Sequence, residues 1–249
     1  MKIIACYSIK GGVGKTATSV NLAYWAAQSG LRTLLIDLDS QGASSFYFRV
    51  RSSKKNWGKR FFNTYEELLK QIKASDYDNL DIIPAHESFR HFDPLLSDLK
   101  KRQRRLKQVL KGLKDEYDLI ILDCPPTLSY LSEAVFKASS MIVVPVIPTT
   151  LSERTYEQLL DFFRDKDLPV ESVYPFFSMV QRSKHLHKNT IERMTTRYKN
   201  MLESQIPFSS DIEKMGEHRS PVACFAPRTP GGKAYEGLWD EIGQVIDNG

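Results

Sequence analysis

The sequence predicts an α/β fold, a mostly parallel twisted sheet with helices on both faces. Apolar runs of strand length recur along the chain and are continuous rather than alternating, which is the pattern of strands covered on both sides. Stretches of helical length separate them, so each strand is followed by a crossover. Neither an internal repeat nor a linker interrupts the 249 residues, which places residues 1–249 in one domain.

Lys2–Ser8 reads as the first buried strand, and Thr16–Ser29 as a helix stopped by Gly30 just past its end. Thr33–Leu38 is a second strand ending on acids. The next basic stretch, Arg49–Arg60, reads as a loop, and cap-like residues at Asn63-Thr64 predict a helix over Tyr65–Lys73. Further strands are expected at Leu80–Ala85, Tyr117–Asp123, Met141–Ile147 and Val170–Val180. Helices are expected at Asp93–Leu113, Ser129–Ala138, Ser152–Arg164 and His187–Ser204. A short Gln205-Ile206-Pro207 segment and a helix over Lys233–Ile246 complete the order.

Composition narrows the function. Hydrophobic content of 41% with 26% charge is that of a globular chain. The opening MKIIACYSIK lacks signal-peptide architecture, and no apolar run has the length of a membrane span. Cys6, Cys124 and Cys224 form no CxxC pair and no metal-ligand spacing, so reduced thiols in a cytoplasmic protein are expected. The net charge of +5 is unevenly distributed. Basic residues cluster in Arg49–Arg60, Lys100–Lys107 and Arg182–Lys199, leaving an otherwise acidic body.

Residues Ile9–Thr16 read IKGGVGKT between the first strand and the first helix. Glycines there let backbone N–H groups curl round phosphate oxygens. A lysine offsets phosphate charge and a Ser/Thr hydroxyl binds Mg²⁺, all at a helix N-terminus. Ile9 stands where the usual P-loop has its first glycine, and Lys10 is added at the start of the loop.

This string resembles the deviant Walker A of the ParA/MinD family of P-loop ATPases. Ile36-Asp37-Leu38-Asp39-Ser40-Gln41-Gly42 is similar to that family's D-x-D-P-Q-G, and Leu119-Ile-Ile-Leu-Asp123-Cys-Pro-Pro126 to its Walker B. The likeness covers essentially the whole chain, including Ile206-Pro207. It implies ATP and Mg²⁺ as cofactors, with Lys10, Gly11, Gly12, Val13, Gly14, Lys15, Thr16 and Ala17 around the phosphates. It further implies Thr16 and Asp123 at the metal, Asp39 at the attacking water, and Lys10 reaching the nucleotide of a second subunit, so that ATP bridges a homodimer. Asp37 has two readings, a support of the metal shell or a strand-end carboxylate capping the next turn. Met179, Pro207 and Phe208 are the adenine-side candidates, Phe208 being equally readable as a core side chain. Ala17 replaces a second threonine, Ser40 replaces proline, and Phe208 stands where chromosome-partitioning relatives tend to carry arginine.

The family's branches differ in the surface they engage. The final stretch Tyr235–Gly249 carries acids and no basic residue, which argues against a MinD-like lipid anchor. The cysteines do not suit a bridging iron–sulfur cluster. Non-specific duplex DNA requires only phosphate neutralisation, and Arg182, Lys184, Lys188, Arg193, Arg197 and Lys199 are its candidates, each alone also readable as a solvated helix face. The Lys100–Lys107 run reads as the exposed side of its helix. The Arg49–Arg60 run is open to DNA, a partner or solvent. His185 and His187 have no companions for a metal site. The expectation is a cytoplasmic, nucleoid-associated ParA-like ATPase without an N-terminal helix-turn-helix. Its hydrolysis would be stimulated by a ParB-like or other cargo adaptor, and its cargo would be a plasmid, a chromosome region or a carboxysome-like assembly, with an orphan or organelle-positioning type favoured. A metabolic ligase or kinase of the same superfamily, a MinD-like switch and a scaffold that barely hydrolyses ATP are the rival readings.

Overall fold

A computed structural model describes residues 1–53 and 57–248. Its strands are β1 (Lys2–Cys6), β2 (Thr33–Asp37), β3 (Lys73–Ala74), β4 (Leu80–Ile83), β5 (Leu119–Asp123), β6 (Met141–Val146), β7 (Val173–Val180) and β8 (Gln205–Pro207). They form one eight-stranded sheet in the order β3-β4-β2-β5-β1-β6-β7-β8. Every pairing is parallel except β3 with β4.

Continuous apolar strands need cover on both faces, and the sheet has it. Along β1, Ile3 and Ala5 point into one apolar layer while Ile4 and Cys6 point into the other. The first layer takes in α4 (Phe92–Ser97), α5 (Arg102–Lys111), α6 (Tyr130–Ala138), α7 (Thr150–Asp165) and α8 (His185–Arg197). The second holds α1 (Lys15–Gln28) and α11 (Pro230–Asn248). Tyr235, Leu238, Trp239 and Ile242 of α11 are buried there, and Trp239 Nε1 donates to Ser29 Oγ at 2.8 Å. The apolar side of α11 is therefore consumed by the fold. Among the described residues no helix is long and apolar enough to cross a membrane.

Several expectations are corrected. The helix expected over Asp93–Leu113 is two helices, broken at Lys101, whose φ of 55° lies in the left-handed region. The helix expected over Tyr65–Lys73 is the shorter α3 (Tyr65–Leu69), and Lys73–Ala74 instead adds an antiparallel edge to β4. α8 stops at Arg197 rather than Ser204, because Tyr198 is extended, the chain turns at Lys199 and Asn200, and Leu202 N–H donates to Pro175 O at 2.8 Å. Three short helices were not foreseen: α2 (Ala43–Tyr47), α9 (Ser210–Glu213) and α10 (Met215–His218).

The Arg49–Arg60 stretch is more than a surface loop. Lys54 and Lys55 lie outside the described residues, but Trp57 is buried. It packs with Phe61, Phe62, Phe89 and Phe92, whose rings surround Phe61 at centroid distances of 4.9–5.6 Å. Truncating the fully buried Phe61 to alanine is expected to cost about 3–5 kcal/mol, from lost burial and the cavity left behind. Urea unfolding of the full chain reads this directly, and a loss below about 1 kcal/mol would mean the cluster is not part of the cooperative core.

Candidate nucleotide-binding site

The carboxyl ends of parallel strands gather loops at one edge of the sheet, and the three motifs fall there together. Gly12 and Gly14 of the loop after β1 have φ of +70° and +94°, conformations that L side chains rarely adopt. A Cβ at Gly14 would also meet Ser178 Oγ at 3.1 Å. The loop delivers its backbone to the first turn of α1, an arrangement suited to anionic oxygens. Gly11 and Gly12 are exposed and Val13 is buried, anchoring the loop from beneath. Thr16 and Ala17 follow in the first turn, both half-buried.

Lys15 is buried and its Nζ donates to Lys10 O at 3.0 Å. Burial lowers its pKa, while Asp123, Cys124 and Asp39 act in the opposite sense. Asp123 ends β5 with both oxygens engaged. Ser19 Oγ donates to Oδ1 at 3.1 Å, Ser44 Oγ to Oδ2 at 2.6 Å, and the Thr16 hydroxyl also bonds this carboxylate. Thr16 and Asp123 are thus brought together as the resemblance implied.

Asp37 lies beside Asp123 in register on the neighbouring strand. Its Oδ2 accepts from Ser45 N at 2.9 Å and Ser45 Oγ at 2.7 Å, so it does cap the first turn of α2. Its Oδ1, however, is buried without a partner. Burial, and next the neighbouring Asp123, raise the Asp37 carboxyl to about 8. A buried, unpartnered carboxylate oxygen beside a second carboxylate is a place where a divalent cation would relieve the repulsion. Among the described residues no group of three or more His, Cys, Asp or Glu could hold a metal by itself. Mg²⁺ does not require one, since it is usually held by one or two carboxylates, waters and phosphate oxygens. The residues present fit a Mg–nucleotide.

Asp39 is half-buried just past β2, and its Oδ1 accepts from Gln41 N at 3.0 Å. Lys10 Nζ, by contrast, donates to Ser152 Oγ on α7 at 3.2 Å and turns away from its own loop. On the opposite side, Met179 has a φ of 54° and its Cε lies 4.0 Å from the Cβ position of Gly14. Pro207 pairs with Val180, Phe208 N–H donates to Val180 O at 3.0 Å, and the Phe208 ring is 53% exposed. The core reading of Phe208 is therefore wrong; of the three candidates Met179 lies against Gly14, while Pro207 and Phe208 lie against Val180 on the neighbouring strand.

The basic candidates on and around α8 divide. Arg182, Lys184, Lys188 and Lys199 are exposed, with no acid paired to them among the described residues. Arg193 and Arg197 are not free. Arg193 Nε donates to Glu153 Oε2 at 3.1 Å, and Arg197 Nη1 lies 3.6 Å from Glu153 and 2.6 Å from Glu157. The side chain of Glu153 is only 8% exposed, so the two guanidiniums neutralise a carboxylate that α7 carries inward. The pairing lets them hold α8 on α7, while their side chains stay 47% and 56% exposed. His187 is buried, with Nδ1 accepting from Gln181 N at 3.1 Å, which fixes the start of α8 and leaves no metal role.

Sequence reasoning missed Ser19, Ser44, Ser45, Ser152 and Glu153. Ser44 and Ser45 had a faint signal in their place just beyond Gly42-Ala43. The partners of Ser152 and Glu153 lie on other elements, so nothing local marks them.

Residues 1–168 match the family model described as "AAA domain". The chain is 32% identical over 249 residues to the sporulation initiation inhibitor protein Soj of Bacillus subtilis (strain 168), covering 97% of this chain and 98% of that one. A Borrelia burgdorferi B31 protein assigned to plasmid partition and solved with AMPPNP superposes with a TM-score of 0.81 at 25% identity, over 98% of this chain and 99% of its own. Cobyrinic acid a,c-diamide synthase of Mycobacterium smegmatis shares the fold, with a TM-score of 0.79 at 21% identity over 99% and 96% of the two chains. The deviant phosphate loop, the two aspartate-bearing strand ends and this similarity along the full length make the chain a member of the ParA/MinD family of P-loop ATPases.

Proposed function

We propose that the chain is a ParA-like positioning ATPase whose ATP-bound homodimer associates with duplex DNA irrespective of sequence, and whose Mg-dependent hydrolysis, stimulated by a cargo-borne adaptor, releases it. The observation that carries this reading is the pair of lysines at the loop. Lys15 turns inward to where phosphates would lie, while Lys10 rests on Ser152 and serves no group in its own loop. A lysine so placed is useful when a second subunit presents a nucleotide to it, as an arginine finger is.

In this scheme the N–H groups from Gly11 to Thr16 cradle the triphosphate, and Lys15 offsets charge on its β- and γ-phosphates. Thr16, Asp123 and Asp37 hold Mg²⁺ directly or through water, which supplies further charge stabilisation when bound. Asp39 orients the attacking water. Phe46, Leu128, Tyr130, Leu151 and Phe208 are exposed in segments that follow β2, β5, β6 and β8, on the same edge as Lys10. That apolar rim suits a face-to-face partner copy. Arg182, Lys184, Lys188 and Lys199 supply phosphate contacts. The Borrelia plasmid partition protein supports a partition role through its likeness to this chain.

The test is binding to a random-sequence duplex with ATP, with ADP and without nucleotide, at two salt concentrations. Binding that needs ATP and falls steeply with salt is expected. No binding in any condition removes DNA from the reading and leaves the ATPase. The cobyrinate-synthase likeness keeps a ligase in view, and turnover that rises with a small-molecule acceptor but not with DNA would favour it.

A further inference from the structure

Between Lys100 and Lys114 the sequence holds eight cations and no acid. The structure makes a surface of them. Leu106, Val109 and Leu110 of α5 are buried, which turns Arg104, Lys107 and Lys111 to the opposite, exposed side. These three lie at i, i+3 and i+7, a row of about 10 Å along the helix axis. Among the described residues none is paired with an acid.

The neighbouring flank of α5 holds the chain just past a second basic run. Arg105 donates from Nε to Phe62 O and from Nη2 to Asn63 O, clamping the segment that carries Lys59 and Arg60 against the helix. Both of those residues are exposed. Arg60 approaches Glu67 at 3.7 Å, whereas Lys59 has no acidic partner among the described residues. The contact brings Phe62 and Asn63, just past the second basic run, onto the flank of α5. The α5 face is separate from α8. Both helices cover the same side of the sheet, but α5 leads from β4 to β5 while α8 lies at the β7–β8 end.

We propose that this α5 face is a second contact surface for duplex DNA, an inference that rests on the DNA-binding reading above. The chemistry of the face favours a polyanion over a folded partner. Protein interfaces are anchored by apolar and aromatic side chains in pockets, and the exposed positions of α5 are Arg104, Lys107, Gln108 and Lys111. Phosphate contacts need only cations, and a duplex presents a charge every ~1.7 Å along its axis.

The experiment compares three full-length proteins on a random-sequence duplex with ATP across a salt series. They are wild type, Arg104→Gln/Lys107→Gln/Lys111→Gln, and Lys107→Arg/Lys111→Arg, with DNA-free ATPase activity as the control of integrity. The glutamine variant is expected to keep its basal turnover, to bind at least ~10-fold more weakly, and to lose about 0.9 in log–log salt slope per phosphate contact removed. The arginine variant is expected to match wild type. If wild type binds DNA and the glutamine variant binds with the same affinity and slope, this surface is overturned while the DNA-binding reading stands. If wild type binds no duplex, both fall. A glutamine variant that keeps its DNA affinity but loses binding to polyglutamate assigns the face to an acidic protein segment and overturns the proposal.

Discussion

Replacing Asp39 by alanine is expected to leave ATP binding in place and to slow hydrolysis by about 10²- to 10⁴-fold, the usual worth of a positioned proton acceptor. Two carboxylates sit near each other at the end of β2, and their environments separate their tasks. Asp37 is fully buried and tied to Ser45, so it can support a cation but cannot swing toward a nucleophile. Asp39 is half-buried, and among the described residues its carboxylate accepts only from the Gln41 amide. It is the acid able to meet a water at the edge of the phosphate loop. Phosphate release in a single turnover, set beside nucleotide affinity from a fluorescent analogue, separates the two steps. Turnover equal to wild type would remove Asp39 from the water and favour a scaffold that uses ATP without spending it.

The Lys15→Gln variant is expected to lose both functions, with affinity for ATP and turnover each down by roughly 10²- to 10³-fold, the scale of removing one charge-stabilising donor. The same change should leave the nucleotide-free protein no less stable. The Lys15 ammonium is buried and bonded to one backbone carbonyl, and burial acts against its charge. Its position is therefore set up for a ligand that is absent from the free chain. Thermal unfolding with and without Mg–ATP reads both parts at once, because ligand that binds only the folded state raises the midpoint. Wild type should shift upward with Mg–ATP and the variant should not. An equal upward shift in both would mean that Lys15 does not touch the phosphates.

The ion pairs of Arg193 and Arg197 change how the basic surface should be probed. Alanine at either position strips neutralising charge from the inward-facing Glu153 and loosens α8 on α7, so weakened DNA binding there would not isolate a DNA contact. Arg182, Lys184, Lys188 and Lys199 carry no such second role among the described residues. They are the positions from which a phosphate contact can be removed without disturbing the helix that carries it.

The catalytic edge was legible in the sequence because its parts are local. A phosphate loop needs particular residues at fixed spacing, and Gly12, Gly14, Lys15 and Thr16 declare it within one turn of chain. Asp39 and Asp123 close apolar runs, and a buried parallel strand ends where its apolar run ends. The carboxyl edge of a parallel sheet then collects those ends without further instruction. Tertiary structure alone decided the rest, because it depends on partners distant in the chain. Nothing near Glu153 announces that two arginines on another helix will hold it, and a basic run gives no sign of which charges are already used. The Arg49–Arg60 stretch looked like solvent-facing loop because charge dominates its composition, yet Trp57 and Phe61 drive it into the core. The segment just beyond it is held by Arg105 of α5, bonded to Phe62 O and Asn63 O, a partner that nothing near those residues in the sequence announces.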